Sequence, residues 1–270
     1  MVTQCHGKRA AGTCLQPCHT YIMIAYTYLR FLFLGSRMQS AHIEPSINSG
    51  MAPTPVVGYT TARGLAQSIR NLLVYKGVHF EDKRYEFGPA PTYEKLGWAA
   101  DSASLGFTFP NLPYYIDGDV RLTQSLAILR YLGKKHGLDA RSDQEAAELW
   151  LMEQQANDLL WALVVTAMNP NATEARKSQE KRLADSLPRW QELLKKRRWA
   201  LGNTLTYVDF LLYEALDWNR QFAPDAFANR PELLDYLRRF EQLPNLKEYF
   251  ASDKYVKWPI MAPYMFWGHK

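Results

Sequence analysis

The chain has 270 residues, 47% of them hydrophobic, and a formal net charge of +5. That length accommodates two modest domains with ordinary packed cores. Lys8, Arg9, Arg30 and Arg37 against Glu44 put +3 of the charge in the first 50 residues, so the remainder is near neutral and gives no case for nucleic-acid binding.

Residues 1–50 form an acid-poor extension unlike the rest. Their apolar run, Tyr21 to Leu34, is interrupted by Arg30 and too short for a membrane span, so no membrane association is expected. The run suits either the apolar part of a signal peptide or organelle presequence, or a disordered or normally untranslated stretch ahead of a working start at Met51. The second reading is preferred. Only export would make Asn171-Ala-Thr173 a glycan site. The three cysteines, Cys5, Cys14 and Cys18, all lie in this extension, and with His19 they match no standard zinc spacing. The body therefore has no disulfide frame, no thiolate metal site and no cysteine nucleophile, and no metal is expected.

After Met51, Val56-Val57-Gly58-Tyr59-Thr60 reads as a short strand. Gly64 to Lys76 has a helical apolar face of Leu65, Ile69, Leu72 and Leu73, closed by Gly77. His79 to Tyr85 reads as a second strand. Phe87 to Phe109 is punctuated by Pro and Gly and is expected to be mostly irregular. Phe109-Pro-Asn-Leu-Pro-Tyr-Tyr-Ile-Asp-Gly-Asp-Val-Arg-Leu-Thr-Gln-Ser125 follows: a loop ending at Pro113, two strands around an Asp117-Gly118 turn, and a helix opening at Gln124-Ser125 and running to His136.

Leu112 precedes proline and is pushed to extended backbone. There it offers its N–H and C=O to an extended ligand peptide, as in strand addition. Gln124 and Ser125 sit where a helix start leaves N–H groups unpaired and favours a carboxylate. A linker spans Gly137–Ser142. Helical patterns then cover Asp143–Met168, Thr173–Arg197, Thr206–Gln221, Pro231–Glu241 and Asn245–Phe250. Thr206 and Asp209 form a capping box with Leu205 and Phe210 as its staple, so Asp209 is assigned a structural role.

The Asn-Leu-Pro loop, the hairpin and the Gln-Ser helix start resemble the glutathione transferases, and Phe-Pro-Asn-Leu-Pro-Tyr resembles the mu class. The likeness runs from Val56 to Phe266-Trp-Gly-His-Lys270. It implies an α/β plus all-α fold. Residues 51–136 would form a thioredoxin-like βαβαββα domain that binds glutathione. Residues 143–270 would form a helical bundle holding an apolar electrophile. It also implies a cis Leu112–Pro113 bond, a homodimer, a cytoplasmic location, and reduced glutathione as co-substrate with no cofactor.

By the same resemblance Tyr59, 54 residues before Pro113, is the catalytic hydroxyl. It would favour the glutathione thiolate, the reactive form of a thiol whose pKa is ordinarily about 8.5. Thr60, Trp98, Ser102, Asn111, Leu112 and Pro113 would surround glutathione. Gln124, Ser125 and a partner subunit's copy of Asp158 would hold its γ-glutamyl end. Phe109 would insert into the neighbouring subunit. Leu65, Met168, Met261 and Trp267 would line the electrophile pocket.

Three positions depart from the mu pattern. Thr60 replaces a tryptophan, Ser102 a lysine expected to meet the glycine carboxylate, and Met168 a second tyrosine over the electrophile. These departures leave two alternatives to a transferase: a catalytically weak glutathione and hydrophobic-ligand carrier of the same fold, and a structural partner that uses only the dimer scaffold.

Overall fold

The structure, a computed structural model, describes residues 53–269. The readings of the extension, its cysteines and Met51 lie outside these residues.

β1 (Val56–Thr60) forms where the sequence predicts a short strand, with Val57 fully buried. It lies inside a four-stranded sheet of order β2-β1-β3-β4. β2 (Glu81–Tyr85) pairs with it in parallel, and β3 (Tyr114–Asp117) antiparallel. β4 (Val120–Thr123) closes the hairpin. The hairpin turn centres on Gly118-Asp119, one residue later than expected, because Asp117 pairs with Val120. Gly58 lets the sheet pack: a Cβ there would lie 2.0 Å from the Tyr114 ring.

Gly64–Ala66 is a 3-10 turn leading into α1 (Gln67–Tyr75), whose Ile69, Leu72 and Leu73 are fully buried. The irregular stretch contains one short helix, α2 (Trp98–Ser104). The Leu112–Pro113 bond is cis. α3 (Ser125–Lys135) begins after Gln124, which is held at a φ of 74°.

The remaining elements are helical. α4 (Asp143–Ala167) and α5 (Ala172–Lys196) start at Ser142 and Asn171, whose side chains accept N–H bonds from Glu145 and Glu174. α6 (Tyr207–Phe222) is buried almost throughout, followed by a 3-10 turn at Pro224–Phe227, α7 (Pro231–Glu241) and α8 (Leu246–Phe250). The capping box of α6 forms as predicted. The Thr206 N–H donates to Asp209 Oδ2 at 2.9 Å, while Asp209 Oδ1 accepts from the Ala200 N–H at 2.8 Å and the Tyr236 hydroxyl at 3.1 Å.

Arg63 ties the turn after β1 to α6. Its Nε donates to Glu214 and its Nη1 to Asp217, each at 2.7 Å, with Arg63 wholly buried. The last residues add a second tie: Pro259 O accepts from the Arg63 N–H at 2.8 Å and Ile260 O from the Gly64 N–H at 3.0 Å. The same segment reaches the end of α4, where the Phe266 N–H donates to Ala167 O at 2.7 Å. Among the described residues, no helix is long and apolar enough to cross a membrane.

Candidate active site

A cavity of about 360 Å³ opens where β1, the α2 region, α4 and the C-terminal segment meet. Tyr59 and Thr60 enter it from β1, Leu65 from the 3-10 turn, Trp98 from the start of α2, and Asn111 and Leu112 from the loop before the cis proline. Met168 at the end of α4 and Met261 on the C-terminal segment close the apolar side. Eight of the residues singled out in the sequence thus share one cavity.

Tyr59 is half-buried at the end of β1. Its hydroxyl oxygen accepts from the Leu65 N–H at 3.3 Å. Burial pushes its pKa up, opposed by the Leu65 hydrogen bond and by Arg70, and the nearby Tyr264 hydroxyl adds to the rise. The phenol therefore remains protonated at neutral pH. With its oxygen held by backbone, its O–H is free to donate into the cavity. Gly64 makes room for this arrangement: at a φ of +39°, a Cβ there would lie 2.4 Å from Tyr59 Cε1 and 2.6 Å from its hydroxyl.

Trp98 is fixed by packing, stacked on Tyr114 at 5.8 Å and edge-on to Tyr85 at 5.4 Å. Leu112 differs from expectation. Its N–H is taken by its neighbour, donating to Asn111 Oδ1 at 2.9 Å. An asparagine beside an otherwise unpaired amide satisfies it locally, so an incoming peptide has to displace that bond.

The other predicted residues fall outside the lining of this cavity. Ser102 turns its hydroxyl back to Ala99 O at 2.9 Å. Pro113 is buried beneath the loop, whereas Gln124 is exposed and Ser125 half-buried at the start of α3. Trp267 packs edge-on against Phe222 at 5.2 Å and Trp258 at 5.9 Å instead of lining the pocket. Asp158 lies on the α4–α5 face, where with Arg182 and Arg189 it lines a separate cavity of about 280 Å³ whose apolar walls are Met152, Leu159, Ala162, Trp190 and Leu193. Phe109 is 76% exposed, on the loop before Pro113.

The structure also brings in residues the sequence reading missed. Lys95 lines the cavity three residues before Trp98 and brings a cation to it. Trp161, 44% exposed, lies one and two turns before Val164 and Met168 on α4, and that helical spacing could have revealed it. Tyr264 and Met265 come from a C-terminal segment with no periodicity to read.

The comparisons with known proteins agree with this architecture. The glutathione S-transferase N-terminal domain family matches residues 55–134, and the C-terminal domain family matches residues 157–253. Glutathione S-transferase Mu 2 of Rattus norvegicus is 39% identical over 214 residues, covering 79% of this chain and 98% of its own. Glutathione S-transferase Mu 1 of Mus musculus is 38% identical over 215 residues, covering 80% of this chain and 99% of its own. A crystal structure of the glutathione S-transferase Blo t 8 superposes with a TM-score of 0.73 at 35% identity, over 79% of this chain and all of that one. With a thioredoxin-like sheet domain joined to a helical domain, and with these relatives spanning their whole length, the chain belongs to the glutathione S-transferase family and is similar to its mu class.

Proposed function

We propose that this chain conjugates the thiolate of reduced glutathione to apolar electrophiles, a detoxifying reaction, with the Tyr59 hydroxyl stabilising the thiolate. The observation that carries the proposal is a phenol, held from behind by the Leu65 N–H, facing a cavity that is apolar on the α4 and C-terminal side. Glutathione would lie along Trp98, Asn111 and Leu112, with its γ-glutamyl carboxylate at Gln124 and Ser125. The thiol proton leaves to solvent, sulfur attacks the electrophilic carbon, and the leaving group departs. Glutathione is a co-substrate, and the scheme uses no cofactor or metal. We place the activity in the cytosol, where glutathione keeps thiols reduced.

The direct test is initial-rate conjugation to an activated chloroarene by the full chain and its Tyr59→Phe variant. Removing the hydroxyl should slow the reaction about 25-fold at pH 7, because the thiolate fraction of the bound thiol falls from about three-quarters to about 3% when its pKa returns from about 6.5 to about 8.5. Equal rates would remove Tyr59 from the mechanism. No rate in a folded parent would move the assignment to ligand carriage.

Lys95 is proposed to meet the glycine carboxylate in place of the missing cation at Ser102. In Lys95→Gln, KM for glutathione should rise roughly five- to tenfold with kcat little changed, the pattern of lost uniform binding. Steady-state kinetics at varied glutathione checks this.

We further propose a homodimer in which Phe109 enters the α4–α5 cavity of a second copy. The exposed ring and the cavity, with its Met152, Leu159, Trp190 and Leu193 walls, support a self-complementary contact. That seating would bring Asp158 of one copy to the edge of the other's site. Each buried phenylalanine contributes about 1.5–3 kcal/mol and the contact occurs twice. Phe109→Ala should therefore weaken the dimer by about 100-fold or more, as read by sedimentation equilibrium.

A further inference from the structure

Met168 leaves the apolar side of the site without a hydroxyl from α4, yet the cavity does contain a second phenol. Tyr264 lines it from the C-terminal segment. Its side chain is 49% exposed, and its hydroxyl makes no hydrogen bond to any described residue. By contrast, Thr60 is only 4% exposed, and Tyr59 is assigned to the sulfur.

The backbone under Tyr264 is fixed at several points. Pro263 and Tyr264 form the centre of a turn closed by the Met265 N–H donating to Ala262 O at 3.0 Å. On one side, Pro259 O and Ile260 O receive the Arg63 and Gly64 N–H groups; on the other, the Phe266 N–H reaches Ala167 O. Between them, the Met261 N–H donates to Gly268 O at 2.8 Å. The ring stands edge-on to Phe87 at 6.3 Å and against Tyr93 at 6.2 Å, the aromatic geometry that holds a ring in place. Tyr264 and Tyr59 line the same cavity.

Resting on the conjugation reading above, we infer that Tyr264 is a second hydrogen-bond donor of the site, aimed at oxygen that gains charge on the electrophile, and that it extends the substrate range to epoxides and α,β-unsaturated carbonyls. In epoxide opening, the thiolate sulfur forms a bond to one ring carbon while that carbon's bond to oxygen breaks. The electron pair stays on oxygen, which takes the Tyr264 proton, and water returns a proton to the phenolate. With an enone, sulfur adds to the β-carbon and the π electrons move to the carbonyl oxygen, which Tyr264 stabilises as the enolate before the α-carbon is protonated. Displacement at a benzylic halide expels halide and develops no such oxygen charge.

The test compares full-length protein and its Tyr264→Phe variant on three electrophiles at saturating glutathione: an aryl epoxide, an aryl enone and benzyl chloride. The variant should lose about tenfold or more in kcat/KM for the first two and stay within about twofold for benzyl chloride, the selectivity expected of a donor that acts on developing charge. A parallel loss on all three would make Tyr264 structural and overturn the inference, as would no loss on any. If the parent turns over benzyl chloride but neither oxygen electrophile, the inference fails while the transferase reading stands. A parent inactive on all three removes both.

Discussion

Gly64→Ala should lower conjugation by more than about tenfold without unfolding the protein, approaching the roughly 25-fold loss of Tyr59→Phe, as expected when a catalytic group is displaced from its working position. The added methyl would sit 2.4 Å from Tyr59 Cε1 and 2.6 Å from its hydroxyl, so the ring has to move. The backbone cannot yield instead, because the Arg63 and Gly64 N–H groups are tied to Pro259 O and Ile260 O. Alanine at a φ of +39° adds about 1 kcal/mol of strain, a modest cost to stability. If the effect passes through Tyr59, adding Gly64→Ala to Tyr59→Phe costs little more, because the two changes remove one interaction. Kinetics of the two single variants and the double variant read this. Losses that multiply, or a Gly64→Ala enzyme at parental rate, would separate Gly64 from the Tyr59 hydroxyl.

The second large effect concerns folding. Asp209→Ala should destabilise the chain by about 2–4 kcal/mol, because it strips acceptors from the Ala200 and Thr206 N–H groups in a fully buried place, while the Tyr236 hydroxyl keeps only the backbone carbonyl oxygen of residue 209. Asp209→Asn keeps one acceptor oxygen and should cost less. The pair also has a pH signature. Burial pushes the Asp209 carboxyl up to about 6, against the pull of its hydrogen bonds. An unfolded aspartate titrates near 3.9, so between about pH 4 and 6 the native state binds the extra proton. The Asp209 contribution is therefore greatest at or below about pH 4 and declines as pH rises to about 6. Urea melts across that window should show wild type losing stability relative to Asp209→Asn as pH increases. The opposite slope would mean that the cap holds its carboxylate charged.

The fold was readable wherever local chemistry and packing point the same way. Val56–Thr60, the Asp-Gly hairpin and the Thr206/Asp209 cap each carry their signal within a few residues. β2 is shorter than its apolar lead-in suggests because pairing with β1 begins at Glu81. That Tyr59, Asn111 and Leu112 line one cavity was legible because these strand and loop residues lie in fixed order along one domain. Lys95 was not, since nothing in an irregular segment says which side chain turns inward. Tyr264 was also hidden, because the C-terminal segment is positioned by backbone bonds to residues nearly 200 positions earlier. Trp267 lies outside the cavity lining for a related reason: Phe222 and Trp258 offer it an aromatic seat that sequence spacing does not reveal.

The central claim is that Tyr59 lowers the pKa of bound glutathione. The most direct measurement follows the ultraviolet thiolate absorbance of glutathione bound to the full chain across pH, with the Tyr59→Phe variant alongside. The account predicts a bound thiol titrating about two units below its ordinary value of about 8.5, and a return towards that value in the variant. A bound thiol that titrates like free glutathione, or one that is depressed equally in both proteins, would contradict it.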